Sequence, residues 1–231
     1  MKYIYEFKLE KCLWKNVCQL AKSPRCNGSC LRFMKSDYLL TQSLLTDKQR
    51  EIPVLKPCKQ DLEAFIRLND IKENINEIVK QGKNILIQSN NCGNGKTSWA
   101  IKLLAKYFTN IWHSDSFTVR GLFISVAKMV NAFKDNFNMQ VEYAEHIREN
   151  ILTADIVVWD DIGLKSLTPY EHDLLYSFIN NRIDLGKANI FTSNLVDGDL
   201  EEAVGKRLYS RISNSSEVIT FMGLDRRGGA Q

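Results

Sequence analysis

The sequence predicts an α/β fold, a parallel sheet covered on both faces by helices. Two observations carry this. Short runs such as Ile85-Leu86-Ile87 and Ile156-Val157-Val158-Trp159 are apolar at consecutive positions, as strands buried on both faces must be. Between such runs lie stretches whose apolar residues recur every three or four positions, the period of a helix with one buried side.

Taken in order, Leu62, Phe65, Ile66, Ile71, Ile75, Ile78 and Val79 follow the helical period up to Gly82, and Ile85-Leu86-Ile87 forms the first strand. Ala100, Ile101, Leu104, Ala105 and Phe108 mark the inner side of the next helix. Leu122-Phe123-Ile124 is a second strand, followed by helical stretches near 126–137 and 141–153, and 156–159 is a third. Thr168-Pro169-Tyr170-Glu171 combines a Thr cap, Pro at the first helical position and Glu three residues after the cap, which starts a helix running to about Leu185. Ile190-Phe191 and Val218-Ile219-Thr220-Phe221 supply a fourth and a fifth strand.

Composition bounds the alternatives. Gly (12) and Pro (4) are few among 231 residues and aromatics reach 10%, which excludes collagen-like and disordered classes. No apolar run approaches the ~20 residues that cross a bilayer, and the N-terminus lacks the apolar core of a secretory signal. A cytoplasmic protein that does not meet a membrane is expected. Charge is unevenly spread: residues 1–60 carry a balance of +7 and the rest −3, a basic head on a near-neutral body. The division is therefore residues 1–40 as a cysteine-rich head, 41–60 as a linker interrupted by Pro53 and Pro57, and 61–231 as the α/β body.

The sharpest chemical signal is Asn90-Asn91-Cys92-Gly93-Asn94-Gly95-Lys96-Thr97, between a strand and a helix. It fits the phosphate-binding loop G-x-x-x-x-G-K-[ST] except that Asn90 replaces the first glycine, and Asn tolerates left-handed backbone well. Gly93 and Gly95 let successive N–H groups turn toward phosphate oxygens, and the helix that follows aims its positive end at the same anion. Cys92, Gly93, Asn94, Gly95, Lys96, Thr97 and Ser98 are thus expected to cradle ATP, with Lys96 on the β- and γ-phosphates and the Thr97 hydroxyl on Mg²⁺. A second signal lies 63 residues on, where the strand 156–159 ends in Asp160-Asp161, the form of a Walker B motif. Asp160 is assigned to the metal and Asp161 to the attacking water. Thr192-Ser193-Asn194 closes the fourth strand at the edge where open α/β sheets bind ligands, so Asn194 can reach the γ-phosphate or the water.

The succession of the phosphate loop, Asp160-Asp161-Ile162-Gly163, Thr192-Ser193-Asn194-Leu195 and Arg207-Leu208-Tyr209-Ser210-Arg211-Ile212 resembles the AAA+ ATPases of the DnaC/DnaI helicase-loader group. It is also similar to the IstB transposition helper ATPases, over roughly residues 60–231. The resemblance implies a five-stranded sheet of order 5-1-4-3-2, with Asn194 as sensor 1. It implies Arg211 as the arginine finger that reaches a neighbouring subunit's γ-phosphate, and Arg227, with Arg226 the second choice, as sensor 2. Asp161 stands where many AAA+ ATPases have Glu, which points to slow or partner-stimulated hydrolysis. Only four residues follow Arg227, so no helical lid is expected.

Four of six cysteines, Cys12, Cys18, Cys26 and Cys30, fall within 19 residues. Four thiolates can close a tetrahedral Zn²⁺ site, although the paired C-x-x-C knuckles are lacking; an iron–sulfur cluster and unliganded thiols are the alternatives. In position and metal type the head resembles the zinc-binding N-terminal domain of DnaI-like loaders, which contacts the replicative helicase. The resulting expectation is an ATPase that loads a DnaB-type replicative helicase onto single-stranded DNA and assembles with itself through its ATPase domain. Two other readings stand beside it: an IstB-like transposition helper, and a nucleotide-binding adaptor with little hydrolysis.

Overall fold

The computed structural model describes residues 7–52, 55–114, 117–134, 138–164 and 167–224, with backbone alone at 138–140. Five parallel strands form one sheet: β1 (Asn84–Gln88), β2 (Gly121–Ser125), β3 (Ile156–Asp160), β4 (Ala188–Ser193) and β5 (Ser216–Thr220). Their order is β2-β3-β4-β1-β5, which is 5-1-4-3-2 read from the other edge, as the resemblance implied. The register pairs Gln88 with Ser193 and Ser125 with Asp160, so the strand ends that carry polar residues converge at one edge.

Alternation along each strand divides the core in two. Ile85, Ile87, Phe123, Val158 and Ile219 face one apolar layer together with helices α1 (Leu31–Gln42), α3 (Leu62–Glu73), α4 (Ile75–Lys80) and α5 (Lys96–Ile111). Leu86, Leu122, Ile124, Trp159 and Phe191 face the other. There the partners are α6 (Val126–Lys134), α7 (Asn138–Asn150), α8 (Pro169–Asp184), α9 (Asp197–Val204) and α10 (Lys206–Ser215). The remaining short helix, α2 (Asp47–Arg50), follows α1 in the chain and precedes α3.

Local chemistry accounts for the boundaries. The expected capping box at α8 is present: Glu171 N–H donates to Thr168 Oγ1 at 3.4 Å and Thr168 N–H to Glu171 Oε2 at 2.6 Å. The helical pattern over 61–82 is broken at Asn74, whose side-chain amide donates to the Asp70 carbonyl at 3.0 Å and competes with continuation of the helix. The fifth strand begins at Ser216, two residues before the expected Val218, and at this sheet edge Ile219 is its one buried residue.

The 40/41 division falls inside α1. Phe33, Leu39, Leu40 and Leu45 are buried, and the three leucines join the layer that β1 and α5 share. The α1 helix packs on α5 and β2, and Phe123 N–H donates to Ser43 O at 2.7 Å. The cysteine-bearing residues before α1 are mostly turns, joined to the body by a stack in which the Arg32 guanidinium lies 5.2 Å from the Trp14 ring and 5.1 Å from Trp112.

At the opposite edge of the sheet from the polar strand ends, Arg182 of α8 is fully buried. Its Nε donates to Asn189 Oδ1 (2.8 Å), Nη1 to the carbonyls of Ile151 and Ala154 (the latter 2.9 Å), and Nη2 to Ala188 O (2.7 Å). Asn189 Oδ1 also accepts from Trp159 Nε1 at 3.0 Å, and its amide donates to Asn84 Oδ1 at 2.8 Å. Burial pushes the Arg182 pKa down to about 9, but the ring of acceptors keeps a guanidinium charged. No helix among the described residues is long and apolar enough to cross a membrane.

Candidate nucleotide site

The loop between β1 and α5 winds around a cavity of about 260 Å³, lined by Cys92, Gly93, Asn94, Gly95, Lys96, Thr97 and Ser98 with Asp161 and Asn194. Gly93 (φ 70°) and Gly95 (φ 104°) take the left-handed backbone that their type permits. Asn90 does not, so the backbone at the first-glycine position of the motif does not call for glycine here. The loop is held from within. Buried Ser89 accepts from Asn94 Nδ2 at 2.7 Å and from Asn91 N–H at 3.0 Å. Lys96 Nζ donates to Asn91 O at 2.8 Å and to Asn94 Oδ1 at 3.2 Å, and the side chain is 4% exposed. A phosphate offers this ammonium a charge-assisted partner in place of neutral amide oxygens.

The two expected carboxylates take different positions. Asp160 Oδ1 accepts from Thr97 Oγ1 at 2.8 Å and from Thr192 Oγ1 at 2.7 Å, so the hydroxyl and carboxylate expected to share the cation already touch. Asp161 opens into the cavity with φ 58°, a backbone that costs a non-glycine residue energy and that clusters at functional sites. Its N–H donates to Thr192 Oγ1 at 2.9 Å and its Oδ1 accepts from Asn194 Nδ2 at 2.9 Å. Asn194 thus stands beside the residue assigned to the water, immediately after β4, the strand between those of the loop and of the acid pair.

Thr192 holds both acids, a role that the sequence pattern does not assign to it. The signal is its position: Thr192 is the penultimate residue of β4, one residue after the Trp159–Phe191 pairing and beside the acids. Thr192→Val keeps the shape and removes the hydroxyl, orphaning the Asp161 N–H. A loss of about 1–3 kcal/mol in chemical denaturation is expected.

Burial, then the charge of Asp161, pushes the Asp160 pKa up from 3.8 to about 6, against the Thr192 and Thr97 hydroxyls that lower it. The sign follows: below about 6 Asp160 is neutral and a proton competes with a cation, above it the carboxylate is free to bind. Magnesium-dependent nucleotide affinity is therefore expected to fall about tenfold per pH unit below that value. Fluorescent-nucleotide titrations between pH 5 and 8 check it, and a flat profile would contradict the assignment of Asp160.

Two expected residues do not join this cavity. Arg211 lies on α10, 43% exposed at its side chain, with Nη2 3.2 Å from Asp184 Oδ1, and does not line the chain's own site. Arg227 and its second choice, Arg226, lie outside the described residues. The segment that leads to them is fastened beside the loop. Asn91 Nδ2 donates to the carbonyls of Met222 (3.3 Å) and Gly223 (3.2 Å), while buried Asp61 accepts their N–H groups at 2.7 and 2.8 Å. A Cβ at Gly223 would fall 2.4 Å from Asp61 Oδ2, so this approach requires glycine.

In the head, Cys12, Cys18, Cys26 and Cys30 line one cavity of about 230 Å³ with Phe7, Trp14 and Phe33. All six cysteines are free thiols. Burial raises the Cys12 pKa, and the charges of Cys30, Cys26 and Cys18 add to the rise. Among the described residues, however, no three His, Cys, Asp or Glu side chains are gathered as a metal-holding group, so a zinc site is not established.

A parallel sheet of this order, with a phosphate loop after its first strand and an acid pair after its third, defines a P-loop protein of AAA+ architecture. Residues 72–217 match the family described as IstB-like ATP binding protein, and the chain belongs to that family. Among solved structures it is similar to the DnaC helicase loader (18% identity, TM-score 0.61), over 77% of this chain and 100% of that one. A putative primosome component from Streptococcus pyogenes serotype M3 is similar at 17% identity and TM-score 0.60, over 82% and 98%. So is the replication initiator DnaA bound to AMPPCP and single-stranded DNA, at 17% and 0.57, over 78% and 51%. At these identities the likeness shows a common fold. No curated protein matches the chain.

Proposed function

We propose that the protein is an ATPase that loads a DnaB-type replicative helicase onto single-stranded DNA, its subunits assembling around ATP bound at their interfaces. The observation that carries the ATPase half is the pair of contacts Thr97–Asp160 and Asn194–Asp161 beside the phosphate-loop cavity, which supports adjoining places for a cation and an attacking water. The loop amides and Lys96 would bind the triphosphate, Thr97 and Asp160 would hold its Mg²⁺, and the cation would supply charge neutralisation there. Asp161, held by Asn194, would take the proton of the attacking water, and Arg211 would complete the site of the neighbouring subunit. The loader half is supported by the likeness to the DnaC helicase loader and by a separate, cysteine-rich head docked on the ATP-binding body.

The head is the part proposed to grip the helicase. It presents Val17 (75% exposed) and Leu20 (48%) to solvent, anchors of the kind a partner covers. Its four thiols are proposed to take Zn²⁺ on the strength of their common cavity, which zinc analysis of the purified chain tests directly. Val17→Glu combined with Leu20→Glu is expected to abolish co-purification with the cognate replicative helicase while leaving ATP affinity within twofold of wild type. Undiminished helicase binding would refute the head's role. The family match favours a second reading, an IstB-like transposition helper, which predicts retention of duplex DNA and of a transposase instead. A nucleotide-binding adaptor with little hydrolysis would show ATP binding but no turnover, with or without Arg211.

A further inference from the structure

We propose a second anion site, separate from the ATP cavity, that takes an oligophosphate group. It is a cavity of about 320 Å³ where the head meets the body. Lys11 and Lys15 of the head, Arg50 of α2, Lys72 of α3, and Lys102 and Lys106 of α5 all line it, against one carboxylate, Glu10. The nearest other acids are Asp47, paired with Lys11 (3.6 Å) and Arg50 (3.5 Å), and Glu73, paired with Lys72 (2.9 Å) and Lys106 (3.4 Å).

The exposures within these pairs are unequal. The cationic side chains are 14–32% exposed, whereas Asp47 is 76% and Glu73 is 60% exposed, and neither acid lines the cavity. Carboxylates that stand in water are screened and neutralise little of the charge turned inward. Counting all three acids, the group still has three positive charges in excess. Lys102 has the Trp99 ring for a neighbour at 5.0 Å, and burial together with the charge of Lys72 lowers its pKa.

Six cations drawn from four separate parts of the chain repel one another, and a compact polyanion would relieve that repulsion. Five of the six are lysines, point charges that suit the oxygens of phosphate more than the planar bidentate geometry of a carboxylate. The ATP cavity cannot be the same site. Its lining on α5 ends at Ser98, and Lys102 and Lys106 lie six and ten residues beyond Lys96, roughly 9 and 15 Å along the helix. The phosphates could belong to a nucleic-acid strand or to a free polyphosphate, and the site does not depend on the loader reading.

The test uses the full chain with its ATP cavity saturated by a non-hydrolysable, magnesium-bound ATP analogue. Inorganic tripolyphosphate is titrated by calorimetry and a labelled single-stranded oligodeoxynucleotide by anisotropy, at two salt concentrations. Lys102→Gln with Lys106→Gln removes two charges and keeps a neutral polar side chain at each position; Lys128→Gln, on α6 across the sheet, is the control. The double variant is expected to weaken whichever probe binds at least tenfold, with a shallower salt dependence for the strand, and the control to change it less than twofold. Binding of the oligonucleotide alone assigns the site to a strand backbone, and binding of tripolyphosphate alone to a free polyphosphate. Absence of both, or equal binding by wild type and a folded double variant, overturns the proposal. Loss of the ATP analogue itself is read separately and bears on the nucleotide site instead.

Discussion

Lys96→Ala is expected to weaken magnesium–ATP binding by about 10- to 100-fold, the value of one or two hydrogen bonds to a charged group. Turnover should fall further, by about 10²–10³, because the lost charge would stabilise the transition state more than the ground state. The reason is the position of the ammonium, almost wholly buried at the foot of the loop, where it donates to two amide oxygens, Asn91 O and Asn94 Oδ1. Removing it leaves two neutral acceptors that water can reach from the cavity, so the fold should survive and the melting curve should barely move. Nucleotide titration and phosphate release on the two proteins check this. Equal turnover would remove the ATPase activity from this cavity.

Arg182→Leu is the substitution expected to damage the fold most. It leaves the carbonyls of Ile151, Ala154 and Ala188 and one lone pair of Asn189 without their donor, all inside the sheet edge. Against this, a buried charge is removed, which offsets part of the loss. A net cost of about 3–5 kcal/mol is expected, equivalent to roughly 10 °C in melting temperature for a chain of this size. Arg182→Lys should recover only part of it, since three donors on one nitrogen cannot span acceptors arranged around a planar fork. Urea denaturation with circular dichroism measures both, and a change below about 1 kcal/mol would mean that the network is not structural.

The contrast between these two residues shows what the chain order discloses. Lys96, Thr97 and the Asp160-Asp161 pair are legible because their chemistry is local: a loop type, a strand and the residues that end it. The strands are legible for the same reason, since burial on both faces writes consecutive apolar residues. Arg182 and Thr192 act through partners that the fold brings from other strands and turns, and a lone Arg on a helix or a Thr in a strand has no local pattern. Asp61 is alike in this, binding residues 161 and 162 positions away. The apolar residues Leu39 and Leu40 are readable, but their nearness to the cysteines assigns them to the head instead of the core.

That placement of α1 bears on how the protein can be divided. A fragment beginning at residue 41 would strip away the helix that covers α5 and β2, leaving the outer flank of the ATP-binding half greasy and half-roofed. A cut ahead of Leu31 spares that roof and, among the described residues, takes the segment that carries the four clustered thiols, together with Leu13 at the edge of the same layer.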